Sequence, residues 1–249
     1  MTHPGDASTD ASSEELRSVL FVVQEDIRSL VGNRPDGLTA DECSSLRTFA
    51  WTLADPLRGK KKTPILPGNS GPLAEAECHD ELTKQLFSGA KAWDGGNRGV
   101  PLRTRKVGAC FCDALALGAF GGGLERLDDA WRYSLPIRVA IIRIALRHMP
   151  QFLALEYYTT LGAYDAAVLD KVNTIGCPVT PVLPPRVARV LYLLGIAEMA
   201  GEFATCQQAA IPWASEALRC NIRPFHPGTT APAFVVLIWV ACVVMFVRT

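Results

Sequence analysis

Cys78, His79 and Asp80 place a thiol, an imidazole and a carboxylate side by side, the groups from which a nucleophile, its base and an orienting acid are made. Neighbouring residues on a helix point about 100° apart, so these three cannot meet unaided, and no catalytic residue is assigned. The histidines, His3, His79, His148 and His226, are dispersed and lack the i, i+4 pairing that brings two imidazoles to one metal. No metal and no cofactor is expected. The glycines at 95, 96 and 99, and at 121 to 123, lack the strand before and the lysine after that a phosphate loop needs, so they read as flexible joints. The eight cysteines, Cys43, Cys78, Cys110, Cys112, Cys177, Cys206, Cys220 and Cys242, show no C-x-x-C pair and read as reduced thiols. Two basic clusters, Arg58 to Lys62 and Arg103 to Lys106, have the charge to meet phosphates or lipid head groups; the plainer reading is a solvated loop and a polar helix start. Aromatic residues do not interleave with them, and 25 basic residues balance 25 acidic ones, so nucleic acid is not an expected partner.

The remaining chemistry is that of a membrane. Ala231 to Val247 carries no charge, and 17 residues span about 25 Å as a helix, slightly short of a roughly 30 Å hydrocarbon core. Phe234, Val235, Leu237, Ile238, Trp239, Val243 and Phe246 would lie in the lipid, with Arg248 snorkelling to the far interface. A buried core helix is the alternative for a run of this length. The first fourteen residues contain neither a basic nor an apolar signal region. The expectation is a transmembrane tail anchor at 231–247, inserted after synthesis. The N-terminal domain would face the cytosol on the mitochondrial outer membrane, the endoplasmic reticulum or the nuclear envelope.

The elements that position these residues read as helices. Residues 1–11 are polar and expected to be disordered, and 12–220 form a helical domain. Ser12 with Glu15 makes a capping box before Leu16, Val19, Leu20, Val23, Ile27 and Leu30, which recur at helical spacing. Thr39 with Glu42 makes a second, before Leu46, Phe49, Ala50 and Leu53. A basic Pro/Gly loop follows at 58–72, then a helix over about 73–90. The run from Thr104 to Phe120, apolar after its basic start, predicts a central helix enclosed by protein and ended by Gly121 to Gly123. Pro136 opens a helix towards His148, Pro150 marks a kink or restart, and helical pattern resumes to Val172. A Pro-rich spacer at 177–185 precedes one long or two shorter helices around Pro212, and 221–230 links to the tail. Alternating strand patterns are nearly absent, so the fold class is all-α: a helical bundle around a central apolar helix, plus the C-terminal transmembrane helix.

Four segments in this order resemble the homology motifs of the Bcl family of apoptosis regulators. EELRSVLFVV is similar to the fourth motif. LRTFAWTL, residues 46 to 53, is similar to the third, with Trp51 in place of the family's aspartate. RKVGACF, residues 105 to 111, resembles the first without its asparagine-tryptophan-glycine lead, and YYTTLGAYDAAV, residues 157 to 168, resembles the second without gaps. The resemblance implies a surface groove that receives an amphipathic helix from a partner protein. Leu46, Ala50, Leu53, Val107, Ala109, Phe111 and Tyr157 would line or support it, Gly162, Tyr164 and Asp165 would complete the last motif, and Arg105 or Lys106 would pair with the partner's carboxylate. The competing reading is a membrane-tethered structural protein of the viral matrix type that self-associates at a lipid surface.

Overall fold

The structure is a computed structural model, and it describes residues 12–32, 34, 36–63, 104–105, 108–153, 185–204, 206, 210–220, 222–224 and 244–246. Its first helix, α1 (Ser13–Val31), starts where Ser12 and Glu15 close their reciprocal capping box. Leu16, Leu20, Val23, Ile27 and Val31 form its buried stripe, and Gly32 ends it with positive φ while its N–H donates to the Arg28 carbonyl. The second helix, α2 (Ala40–Thr52), begins at the Thr39–Glu42 capping box and buries Cys43, Leu46 and Ala50. Leu53 turns to extended backbone three residues ahead of Pro56, and helices usually end before a proline.

The expected central helix begins later than its sequence implies. Thr104 and Arg105 are outside any helix, Gly108 and Ala109 form a turn, and α3 runs only over Cys110–Phe120. The cause is a backbone crossing: a Cβ on Gly108 would overlap the Phe203 carbonyl oxygen, so the chain passes the 201–206 segment at a distance only glycine permits. From Phe111 to Phe120 every residue of α3 is buried, as a helix apolar all round requires.

The hub of the bundle is a different helix. After a 3-10 turn at Leu127–Tyr133, α4 (Ser134–Leu153) packs against α1, α2, α3, α5 (Pro185–Met199) and α6 (Ala210–Leu218). From Ser134 to Met149 no residue of α4 is exposed. Pro136 falls in its first turn, where the missing N–H costs no helical bond, and the helix continues past Pro150 to Leu153. Helix α5 ends at Met199 and α6 begins at Ala210, so Pro212 does not divide them and again occupies a first turn.

Within the expected tail helix, Val244–Phe246 is instead a short strand, β2, paired antiparallel with β1 (Ile222–Pro224), Phe246 opposite Ile222. Val, Met and Phe suit an extended backbone, and pairing satisfies the peptide groups that a helix would otherwise bond internally. The rest of the 231–247 segment lies outside the described residues, as do the helix expected over 73–90 and the continuation to Val172. No helix among the described residues is long and apolar enough to cross a membrane.

Candidate functional site

Asp113 is the only charged residue between Cys110 and Phe120, and it is fully buried. A carboxylate in that position needs internal partners, because desolvation without compensation is expensive. Arg105 supplies two bonds: Nε donates to Oδ2 at 2.8 Å and Nη2 to Oδ1 at 2.6 Å. The Ser134 hydroxyl, at the start of α4, donates to the same Oδ1. The bond to Asp113 raises the Arg105 pKa above its ordinary value against the opposing effect of burial. The guanidinium also lies 5.3 Å from the Trp131 ring centroid.

One turn along α4, Arg138 is 1% exposed and donates from Nη1 to the Met199 carbonyl at 2.6 Å and from Nη2 to the Ala204 carbonyl at 2.8 Å. Met199 is the last residue of α5, where helix carbonyls lack internal donors, so a buried cation caps that end. Beside it the Cys112 and Cys206 sulfurs are 3.9 Å apart and both are buried. Outside this centre, Glu202 accepts from Arg17 Nε at 2.6 Å and from Nη2 at 3.0 Å. The Arg17 hydrogen bond holds the Glu202 carboxyl below the ordinary carboxylate range, against a smaller opposing effect of burial. Together these contacts join the approach to α3, the start of α4 and the segment leaving α5. Among the described residues no cluster of three His, Cys, Asp or Glu side chains is placed to hold a metal ion.

The described residues among those singled out from the sequence face the core or an internal partner. Leu46 and Ala50 face the core, Leu53 packs partly buried against it, and Ala109 and Phe111 are buried. Arg105 is engaged by Asp113, so its guanidinium already has a carboxylate within its own chain. Lys106, Val107, Tyr157, Gly162, Tyr164 and Asp165 lie outside the described residues, as do Cys78, His79 and Asp80. So do Phe234, Val235, Leu237, Ile238, Trp239, Val243 and Arg248; Phe246 is in β2.

Residues the sequence reading passed over carry the internal site. Asp113 had a visible signal, a lone carboxylate in an apolar run. Arg138 had another, lying between Ile137 and Ile141 within the apolar pattern of α4. Ser134, Glu202 and the approach of Cys206 to Cys112 had none, since they depend on long-range packing.

The surface feature is on α1. Opposite the buried stripe, Phe21 and Val22 are 64% and 45% exposed, on a face that also carries Glu14, Glu15, Ser18, Glu25, Asp26 and Arg28, the last paired with Glu25 at 3.1 Å. Arg17 and Gln24 fasten one edge of this helix to the end of α5, Gln24 by donating to the Ala197 carbonyl at 2.8 Å. Phe203, 56% exposed, follows Glu202 directly. Trp51, exposed on α2, is covered by the Arg147 guanidinium 3.7 Å from its ring centroid. No family model, no curated protein and no solved structure matches this chain.

Proposed function

We propose that the protein is a membrane-tethered helical interaction module, of the general kind the Bcl-like motifs imply, that works by binding an amphipathic helix of another protein. The single observation that carries this reading is the outer face of α1, where Phe21 and Val22 stand exposed among Glu14, Glu15, Glu25 and Asp26. Glu25 is paired with Arg28, but Glu14, Glu15 and Asp26 leave the border of this aromatic and branched aliphatic pair net acidic, which fits a helix with an apolar stripe and basic flanks. The tether rests on the uncharged run at 231–247, and a helix spanning that run would have to draw Val244–Phe246 out of its pairing with β1. Partner capture through Arg105 is not part of the proposal, because a partner carboxylate there would have to displace Asp113.

The test is fluorescence anisotropy with the detergent-solubilised chain and labelled amphipathic helical peptides, basic and acidic. Basic-flanked peptides should bind at micromolar concentration, and Phe21→Glu should weaken them at least tenfold without changing the circular dichroism. Equal binding by the variant, or a preference for acidic peptides, would defeat the reading.

A self-associating structural protein is the second reading, and it has its own observation. Arg47 is exposed on α2 one turn before Trp51, and Arg58 and Lys61 are exposed in the residues after the helix, basic side chains whose charge complements the carboxylates of α1 on a second copy. Concentration-dependent oligomers that high salt dissolves would favour it over partner binding.

A further inference from the structure

We propose that Cys112 and Cys206 are a site of reversible oxidation by hydrogen peroxide, forming a disulfide that staples the first turn of α3 to the segment leaving α5. The two sulfurs are 3.9 Å apart, and a disulfide requires them to close to about 2.05 Å, a movement of about 2 Å. They come from positions 94 residues apart, so their approach is a product of the fold and not of local sequence.

The pair has the asymmetry that thiol oxidation needs. The bond from the Cys112 thiol holds the Cys206 thiol below its ordinary pKa, with the buried Arg138 guanidinium adding to the effect, while the same contact and burial push Cys112 up. The Arg138 guanidinium on the Cys206 side makes Cys206 the sulfur to attack an oxidant and Cys112 the one to resolve the product. Cys43 and Cys220 differ, since burial pushes both thiols up. Because Cys112 and Cys206 are 0% and 2% exposed, the oxidant must be small, which peroxide is.

The Cys206 thiolate attacks one peroxide oxygen, the O–O bond breaks, and the departing hydroxide takes a proton to become water. Cys206 is then a sulfenic acid. The Cys112 sulfur attacks the Cys206 sulfur, the S–O bond breaks, and the Cys112 proton leaves with the hydroxyl as a second water. Two thiols and one peroxide become one disulfide and two waters, and a thiol reductant reverses the change.

The experiment treats the full-length protein in detergent with hydrogen peroxide, alkylates remaining thiols under denaturing conditions and maps the peptides by mass spectrometry. The expected result is a Cys112–Cys206 linked pair, two hydrogens lighter than the reduced peptides, which dithiothreitol reverses. The melting temperature of the oxidised form should rise by roughly 10 °C, as closure of a long loop implies. Cys110→Ser should leave the link unchanged, and Cys206→Ser should leave Cys112 alkylatable. Recovery of both thiols alkylated from the wild-type protein, or oxidation of Cys206 to sulfinic acid without a link, would overturn the proposal; this readout requires no variant to fold.

Discussion

At the scale of single residues, buried charge is the organising feature. Asp113 lies in a helix that would otherwise be wholly apolar, and Arg105 and Ser134 make its burial tolerable. Arg105→Ala should therefore lower stability, with the buried carboxylate left to Ser134 alone. The cost should be about 1–3 kcal/mol, less than for a fully buried pair, because the Arg105 side chain keeps 34% of its surface in water. Denaturant melts of the two proteins measure it, and an unchanged midpoint would mean that the pair contributes nothing. Arg105→Glu is not a clean probe of partner binding, since it would set a second carboxylate against Asp113. The Arg17–Glu202 pair makes a separate prediction. The folded-state pKa of Glu202 lies below its ordinary value of 4.5. Its contribution is therefore fully present above about pH 4.5 and is lost as pH falls through the lower folded value. Arg17→Ala should flatten that part of the acid limb in a pH series of melts, with the difference shrinking in high salt.

Helices α1 and α2 were legible in the sequence because their signals are local: two capping boxes and two apolar stripes mark their starts and buried faces. The role of α4 was not legible, because Arg138, Arg143 and Arg147 interrupt its apolar pattern as they would on a surface helix, while α3 alone looks enclosed. Only packing shows that α4 meets five other helices while α3 lies to one side. The start of α3 was misplaced for a related reason. Apolar periodicity runs through Val107 to Cys110, but Gly108 is needed where the chain crosses the Phe203 backbone. Gly108→Ala should accordingly cost about 1–3 kcal/mol, far more than an alanine on a helix would imply. A melting temperature equal to or above that of the wild type would contradict the crossing. Of the site expected from the family-like motifs, Leu46, Ala50, Ala109 and Phe111 were correctly seen as apolar positions of amphipathic or enclosed segments, and they serve the core.

For the whole molecule, the account joins a helical bundle about α4, an acidic-bordered apolar face on α1 and a proposed tether at 231–247. Removing residues 234–249 should release the protein from alkaline-extracted membranes. It deletes β2, which pairs with β1 and packs against α3, but the contacts among α1, α2, α4, α5 and α6 remain, so helical circular dichroism should persist. A truncated protein that stays in the membrane fraction would exclude this tether. Hydrogen–deuterium exchange on the full chain, with and without a saturating basic amphipathic peptide, reads directly where a partner lands. Added protection is expected over 13–31 and at the 197–204 segment, which α1 touches through Gln24 at Ala197 and Arg17 at Glu202. Protection concentrated at 46–53 and 105–111, with α1 unchanged, would contradict it and place the partner in a groove opened within the bundle.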